Sequence, residues 1–516
     1  MEILAPEQLE IGFVLGCAAI VFLMQAGFCL LESGLVQSKN SINVAIKNVL
    51  DCSLAMLLFV GVGGSIMFGA SNSGWFGTPF SVDFTSDPGL LAFLLFQLVF
   101  CSTATTIISG AIAERARLVT YLFIVLAVSG IVYPVFGHWA WGGVLPGTEQ
   151  GWLAKLGFVD WAGGAVVHIV GGFAALAAIQ VIGSRRNLGN NSLTGGYSLT
   201  LAILGCFLLW FGWWGFNGGS GLAITDSLPL VILNTNLGAM AGGLTAALYS
   251  VLVHKKVKVF PMISGVLAGL VTVTPSCHAL SVHFAALAGA LGSILALLST
   301  SLLKKLGLDD AVGAFQVHGV AGVWGILAFG LFAPESELPS GDRLTQIGIQ
   351  SLGAFAAAAF SYLAVFSTLH FLKIFMRLRV TEEEEKIGLN VVEHGASNAV
   401  TDLLFDINKH SQTGDFSQNI SADVHTEVGQ IATQYNKVIS RVRDEIADRE
   451  QSNVWLENER LRMKSLLDNV GVGIYQLTPE GIISSANPAL LELLGYQSLS
   501  DIVAAQEEND LSLIHI

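Results

Sequence analysis

The chain has 516 residues, of which 53% are hydrophobic and only 12% are charged, and its mean hydropathy is +0.63. A composition this apolar excludes an ordinary soluble domain and indicates a polytopic membrane protein. The net charge of −14 lies entirely in the last part of the chain, because positions 1–379 contain 16 acidic and 16 basic residues. An acidic tail after a neutral, apolar region predicts a domain boundary near residue 379 and argues against nucleic-acid binding.

Runs of about 20 apolar residues, the length that crosses a hydrocarbon core, predict eleven transmembrane helices. We expect an all-α polytopic fold with helices at 9–33, 42–70, 89–111, 118–138, 160–183, 197–217, 226–253, 260–275, 279–303, 311–333 and 346–375. The six cysteines lie in or beside these runs without metal-ligand spacing. We therefore expect buried thiols, with neither disulfides nor a metal or cofactor site.

Basic residues are distributed unevenly among the predicted loops. With the N-terminus outside, fourteen Lys and Arg residues fall in inner loops, whereas only Lys155 and Arg343 fall in outer loops. The positive-inside rule then predicts an outer N-terminus and a cytoplasmic C-terminus in the inner (plasma) membrane. Residues 1–10 lack the basic region of a signal peptide, so the first apolar run is expected to remain as a helix.

A short pattern occurs twice inside the apolar segments. Asp160 precedes His168 by eight residues, Asp310 precedes His318 by the same distance, and glycines flank both pairs at equivalent positions. With each helix starting at its aspartate, an inverted repeat of five plus five helices, with one more at the end, would bring both imidazoles to the membrane centre. A lone histidine here is usually a packing residue, but a repeated one predicts a substrate or proton path.

Other polar and aromatic residues allow two interpretations. Both aspartates can cap their helices, and Asp160 at the outer mouth would also stabilise a nearby cation. Phe96, Phe100, Trp141 and Phe216 could form a cation site, although each taken singly is expected in the core or facing lipid. Three further acids, beside basic residues near predicted inner helix ends, are expected to form local ion pairs; these are Glu32, Asp51 and Glu114, beside Lys39, Lys47 and Arg115.

Six segments together resemble the ammonium transporter/methylammonium permease/Rhesus family over about residues 5–399. They are QAGFCLLESG (25–34), SGAIAER (109–115), DWAGGAVVH (160–168), GWWGFNGGS (212–220), VTPSC (273–277) and VHGVAG (317–322). The resemblance implies a homotrimer that takes ammonium or ammonia through a pore in each subunit. It further implies an outer recruiting site at Phe100, Trp141 and Ser220 supported by Asp160, a gate of Phe100 and Phe216, and a pore containing His168 and His318.

The segment after the last span, 380–399, resembles the C-terminal region by which this family couples its subunits. Asn390 stands where the family usually has Asp, and the usual Tyr is absent. P-II regulatory proteins, which plug related channels, are a candidate partner by this resemblance.

The chain then continues beyond the usual family length. Within residues 400–465, Gly414-Asp-Phe-Ser followed by Glu427-Val-Gly-Gln-Ile-Ala resembles the second helix of a HAMP signalling module. Apolar residues three and four apart predict a coiled-coil seam at Val428, Ile431, Tyr435, Val438 and Val442; a solvated helix with a minor apolar stripe is the alternative. Residues 466–516 resemble the first half of a PAS domain, with a hairpin at the Pro-Glu-Gly turn and a helix opened by Asn487-Pro488, and they look truncated.

Two functions remain open at this point. One is an ammonium transporter or channel with a cytoplasmic signalling extension, and the other is a non-conducting ammonium sensor that signals through its tail. The sequence contains no nucleophile, metal or cofactor motif, so we do not expect an enzyme.

Overall fold

The computed structural model of the protein describes residues 6–71, 73–186, 198–396, 399–421 and 423–507. These form two compact units, Met1–Asn398 and Ala399–Ile516. The last nine residues of the expected PAS-like region, and residues 397–398 of the expected coupling segment, lie outside the described part of the chain.

The first unit is a bundle of long apolar helices. In the described ranges ten helices have the length and hydropathy to span a membrane: Glu7–Leu35, Ser38–Phe68, Pro88–Ala111, Leu118–Trp141, Gly164–Ile182, Leu199–Gly219, Leu228–His254, Val282–Lys305, Phe315–Phe332 and Arg343–Phe375. The predicted run at 260–275 is a shorter apolar helix, Val259–Val273, about 22 Å long at 1.5 Å per residue. The prediction of a helical polytopic membrane protein is confirmed.

Four of the spans contain a π-helical turn, at Phe59–Gly63, Val128–Val132, Gly164–Ile169 and Phe315–Val320, so several are divided into successive helical segments. In chain order the α-helices are α1 Pro6–Leu35, α2 Ser38–Leu58, α3 Gly64–Phe68, α4 Pro88–Ala111, α5 Leu118–Ala127, α6 Tyr133–Trp141, α7 Trp152–Lys155, α8 Val170–Ile182, α9 Leu199–Gly219, α10 Leu228–His254, α11 Val259–Val273, α12 Val282–Lys305, α13 Ala321–Phe332, α14 Arg343–Phe375, α15 Glu382–Ile387 and α16 Leu389–His394.

Helix starts follow local capping chemistry. The carboxylates of Asp87 and Asp342 accept hydrogen bonds from the backbone N–H groups of Leu90 and Thr345, at 3.0 and 2.7 Å, where α4 and α14 begin. Such a cap contributes about 1 kcal/mol. The two repeat helices, which carry His168 and His318, are predicted from the sequence to begin at Asp160 and Asp310. In the structure their first helical turns begin at Gly164 and Phe315, because each aspartate lies in a capping loop.

Glycines let the two repeat helices cross backbone to backbone. A Cβ atom on Gly172 of α8 would lie 2.3 Å from the backbone nitrogen of Gly319, and one on Gly322 would lie 2.9 Å from the carbonyl oxygen of Gly164. Small residues allow this kind of close approach in membrane bundles. The crossing lies immediately beside His318, so it sets the distance between the two imidazole rings.

The C-terminal segment of the first unit is tied to α2 by side chains. Asn390 accepts a hydrogen bond from the backbone N–H of Asn43 at 2.9 Å and donates one to the carbonyl oxygen of Ser38, also at 2.9 Å. A carboxylate at this position could make the first bond but not the second. The side chain of Asn40 in turn accepts from the backbone N–H of Leu389 at 2.9 Å.

Over residues 399–421 and 423–507 the second unit has four helices and one hairpin: α17 Ala399–Thr413, α18 Glu427–Asn469, β1 Tyr475–Leu477, β2 Ile483–Ala486, α19 Pro488–Leu494 and α20 Leu499–Glu507. The strands pair antiparallel, with Tyr475 opposite Ala486, so the predicted hairpin is present. The side chain of Asn487 caps α19 by accepting from the N–H of Leu490 at 3.1 Å, as its position before Pro488 predicted.

The apolar stripe of α18 is divided between two surroundings. Val428 and Tyr435 pack on a small cluster formed with Leu403 of α17, whereas Ile431 and Val438 are exposed. The 43-residue helix therefore uses part of the predicted seam within its own unit and leaves the rest open to solvent.

Candidate functional site: a buried column of aromatic rings and two histidines

The two repeated histidines meet inside the first unit. The Nδ1 atoms of His168 and His318 are 3.1 Å apart, and the rings are nearly parallel with centroids 5.1 Å apart. Both side chains are buried, each on a π-helical turn. The Nε2 atom of His168 has no hydrogen-bond partner among the described residues, so it is free to bind a small polar molecule.

A column of rings continues from the histidines in both directions. Phe216 lies 5.6 Å from His168 and stacks on Phe100 with centroids 4.0 Å apart and planes inclined by 12°. Trp141 lies 6.5 Å beyond Phe100 at one end, and Phe28 lies 6.3 Å from His318 at the other. The column therefore runs Trp141, Phe100, Phe216, His168, His318 and Phe28.

The aspartates beside the column serve as helix caps. Asp160 accepts hydrogen bonds from the backbone N–H groups of Gly163, Ala165 and Val166 at 2.9–3.1 Å, and its carbonyl oxygen accepts from the indole N–H of Trp141 at 2.7 Å. Asp160 thus positions Trp141 through its backbone. Its carboxylate is committed to the start of the helix that carries His168.

Asp310 repeats this arrangement in the second half of the first unit. Its carboxylate accepts from the N–H groups of Gly313 and Phe315 at 2.9 and 2.7 Å. Ser220 ends α9 one turn after Phe216, and its hydroxyl donates to the Phe216 carbonyl oxygen at 2.8 Å. The Ser220 oxygen therefore keeps its acceptor capacity.

Two rings beside the histidines had not been singled out from the sequence. Trp213 stacks at 5.4 Å from His168, and its indole N–H donates to the Thr274 hydroxyl at 2.9 Å. Trp213 precedes Phe216 by three residues, so helical spacing could have placed both on one face. Phe28 lies within the quoted QAGFCLLESG segment, but nothing in its spacing connects it with His318.

The prediction of local ion pairs for three inner acids is wrong. Glu32 accepts instead from Asn48 at 3.0 Å and Ser109 at 2.8 Å, and Asp51 accepts from the hydroxyl groups of Tyr121 and Thr106. Neither carboxylate has a salt bridge within the described ranges. Packing of α1, α2, α4 and α5 brings these hydroxyl and amide groups together, which charge spacing along one helix cannot show.

The third acid, Glu114, pairs with a distant residue. The guanidinium of Arg185 contacts Glu114 at 2.5 Å and Asp309 at 2.7 Å, and Arg115 lies 4.0 Å from Asp309. Burial alone would raise the pKa of Asp309, but the hydrogen bonds from Arg185 and the charges of both arginines hold it below its ordinary value. These pairs join three loops next to the start of the His318 helix.

The apolar helices and the enclosed ring column define a polytopic membrane protein with two contacting histidines, His168 and His318, inside its helical bundle. The sequence profile of the Ammonium Transporter Family matches residues 12–399, and the chain belongs to that family. Transport rather than enzymatic catalysis is the activity of this family.

Individual relatives agree with this assignment. The chain is 44% identical over 437 residues to a putative ammonium transporter of Synechocystis sp., covering 83% of this chain and 81% of that protein. It is 38% identical over 415 residues to the ammonium transporter Amt2 of Archaeoglobus fulgidus, covering 76% and 88%.

Solved structures share the fold of the first unit. A structure titled Sensor Amt Protein superposes with a TM-score of 0.73 at 41% identity and covers 75% of this chain and 99% of its own. Candida albicans Mep2 superposes with a TM-score of 0.66 at 26% identity and covers 79% and 91%.

Proposed function

We propose that the protein conducts ammonia through the ring column after removing a proton from ammonium at the Trp141 end. The observation that carries this proposal is the buried contact between His168 and His318, separated from that end by the stacked Phe100 and Phe216 rings. An intact cation would lose several kcal/mol or more on entering such an apolar passage. Neutral ammonia needs only hydrogen-bond partners.

Recruitment rests on the outer rings. Ammonium over the faces of Phe100 and Trp141 would gain roughly 1–2 kcal/mol from cation–π attraction once desolvated. The Ser220 oxygen can accept one of its N–H groups. Potassium would also be attracted to the rings, but it has no proton to release, so deprotonation supplies the selectivity.

The histidine pair gives ammonia one donor and one acceptor. When both rings are neutral, the bond between their Nδ1 atoms requires that one Nδ1 carries hydrogen and the other does not. The first ring then has a bare Nε2 that accepts, and the second has an Nε2–H that donates. Ammonia can form a hydrogen bond of each kind inside the apolar column. The proton that ammonium gives up to water at the Trp141 end is relayed separately by the two imidazoles.

The wider arrangement follows from the family and the loop charges. We propose eleven spans with α11 as the short one, an N-terminus outside, a cytoplasmic C-terminus and a homotrimer in the plasma membrane. We propose a membrane domain at 1–379, a coupling segment at 380–399, a HAMP-like signalling helix at 400–465 and a partial PAS-like domain at 466–516. A P-II regulatory protein or a downstream signalling module is the proposed cytoplasmic partner.

A second candidate function is an ammonium sensor that binds without conducting. The specific observation in its favour is the second unit, with its long α18 and hairpin, together with the similarity of the first unit to the Sensor Amt Protein. In this alternative, occupancy of the outer site would drive the tail while the phenylalanine gate stays closed.

Uptake of labelled methylammonium by cells that express the full chain distinguishes the two functions. We expect uptake by the wild type and a roughly five- to 150-fold loss in a His168→Ala/His318→Ala variant, because a hydrogen-bond partner worth about 1–3 kcal/mol is removed. His370→Ala is the matched control, since this histidine is exposed on α14. Saturable ammonium binding to the purified protein without uptake by the wild type would support the sensor instead.

A further inference from the structure

Two buried carboxylates of the first unit form no ion pair with any described residue. Glu32 of α1 is 1% exposed and Asp51 of α2 is 0% exposed. Lys47, one turn before Asp51, acts electrostatically on Glu32, but its amino group donates to the Ala116 carbonyl oxygen at 3.0 Å. Two negative charges and one positive charge in a buried site are unfavourable unless a proton or another cation balances them. The pair is therefore suited to holding a proton.

Glu32 lies one helical turn beyond Phe28, the last ring of the column. Both residues are on one face of α1, and the Phe28 ring lies 6.3 Å from the ring of His318. A Cβ atom on Gly110 would lie 3.0 Å from the Oε1 atom of Glu32 and 2.3 Å from a methyl group of Val312. These residues therefore meet at the loop that leads into the His318 helix. With the N-terminus outside, this is the cytoplasmic end of the column.

The Asn48 side chain beside Glu32 has an acceptor without a donor. Its amide group donates to the Oε2 atom of Glu32 at 3.0 Å, and the Ser109 hydroxyl donates to the same oxygen at 2.8 Å. The Oδ1 atom of Asn48 is buried and has no hydrogen-bond partner in the described part of the chain. A buried polar atom of this kind indicates a bound water or ligand. Ammonium carries N–H donors and a positive charge, so it fits both this oxygen and an ionised Glu32.

Asp51 is surrounded by more acceptors than hydroxyl hydrogens. The Thr106 hydroxyl lies 3.3 Å from Asp51 and 3.0 Å from a backbone carbonyl oxygen of α4. The Tyr121 hydroxyl likewise contacts Asp51 and, at 3.2 Å, another carbonyl oxygen of α4. Each hydroxyl has one hydrogen, so it can donate fully to only one of its two acceptors. A proton on Asp51 would supply the missing hydrogen and would leave Glu32 as the carboxylate that exchanges protons.

We propose that Glu32 returns a proton to ammonia at the inner end of the column, so that Glu32 and Asn48 form an inner ammonium site; this role rests on the proposed conduction of ammonia. The lone pair of ammonia takes the proton of the Glu32 carboxyl group, an O–H bond breaks, an N–H bond forms, and ammonium remains beside a carboxylate. The ammonium donates to Glu32 and to the Oδ1 atom of Asn48 and then leaves to the cytoplasm. The proton relayed by the two imidazoles restores the Glu32 carboxyl group.

Proteoliposomes that contain the purified full-length protein test this proposal with two signals. After ammonium is added outside, the current on a solid-supported membrane reports charge movement, and a pH dye in the lumen reports alkalinisation by ammonia. We expect Glu32→Gln to lower the current at least about tenfold, because a proton-transfer group is removed. Alkalinisation should persist, because the ring column is unchanged. A purely structural role of Glu32 would lower both signals together.

Three further variants separate proton transfer from packing. Glu32→Asp keeps a carboxyl group and should restore the current at least in part. Asp87→Asn makes a carboxyl-to-amide change at the exposed cap of α4 and should alter neither signal. Asn48→Ala removes the second acceptor for ammonium, so luminal ammonium should inhibit the inward current with about tenfold lower affinity, as for one lost hydrogen bond to a charged group.

Equal losses of current and alkalinisation in Glu32→Gln, an unchanged current in that variant, or unchanged luminal inhibition in a folded Asn48→Ala protein would each overturn the proposal. If the wild type gives neither signal, the proposed conduction fails, and infrared difference spectra of the purified protein with and without ammonium decide the role of Glu32. A carboxyl band that ammonium removes in the wild type, and that is absent from Glu32→Gln, supports proton transfer from Glu32. Carboxyl bands that do not respond to ammonium overturn it.

Discussion

Replacing Gly172 with alanine should separate the two histidines without touching either. The new Cβ would lie 2.3 Å from the backbone nitrogen and 2.5 Å from the Cα atom of Gly319, whereas ordinary contacts begin near 3.4 Å. The two helices must therefore move apart by about 1 Å, since neither backbone can turn aside as a side chain could. The distance between the Nδ1 atoms of His168 and His318, now 3.1 Å, would rise to about 4 Å, beyond hydrogen-bond range.

We expect methylammonium uptake to fall roughly five- to 150-fold, and by no more than in the His168→Ala/His318→Ala variant, because the lost hydrogen bond between the two rings corresponds to about 1–3 kcal/mol. Overpacking should also cost about 1–3 kcal/mol of stability, measured as a lower melting temperature in detergent. Gly348→Ala is the matched control, because its Cβ would meet nothing within 4 Å. A Gly172→Ala protein that folds normally and transports like the wild type would refute the argument that this crossing holds the histidines together.

Three further predictions concern parts of the chain outside the column. The pKa of Asp309 is lowered in the folded protein. Its ionised carboxylate therefore contributes its full stabilisation above the unfolded pKa of about 3.9, and that stabilisation is lost as pH falls through the lower folded pKa. In the Asp309→Asn variant we expect the melting temperature to fall less steeply between about pH 5 and pH 2 than in the wild type. Asn390→Asp removes the donor to the Ser38 carbonyl oxygen, and we expect faster limited proteolysis near residue 390, with a loss of about 1–3 kcal/mol. Asn436 holds both backbone groups of Ile420 at 2.8–2.9 Å, so Asn436→Ala should raise hydrogen exchange at 414–421 and leave the first unit unchanged.

Much of the fold was visible in the sequence because long apolar runs can satisfy their backbone polar groups in a membrane only as helices. The ten long spans and the terminal hairpin follow from hydropathy and turn residues, both of which are local. The predicted starts of the two histidine-bearing helices were less accurate. The first helical turn begins four residues after Asp160 and five after Asp310, because each carboxylate accepts hydrogen bonds from backbone N–H groups in a capping loop that precedes the helix.

The candidate site, like the fold, could be predicted from the sequence only in part. The equal spacing of Asp160–His168 and Asp310–His318 is a property of the sequence, and it is sufficient to distinguish these two histidines from the other nine. The partners of Glu32 and Glu114 were not accessible in this way, because Ser109 and Arg185 are far along the chain and are brought near only by helix packing. Charged residues that are close in sequence therefore did not predict which groups bind each other inside the bundle.

By itself, the sequence determined that the chain is a helical membrane protein of the ammonium transporter type with a duplicated histidine pattern and an acidic tail. Hydropathy, charge and spacing are carried by neighbouring residues, so they need no coordinates. Only the tertiary structure decided that the imidazoles meet at 3.1 Å and that the rings of Phe28 and Trp213 lie against them. These features depend on how closely helices distant in sequence approach each other, which is set by glycines such as Gly172 at the points where backbones touch.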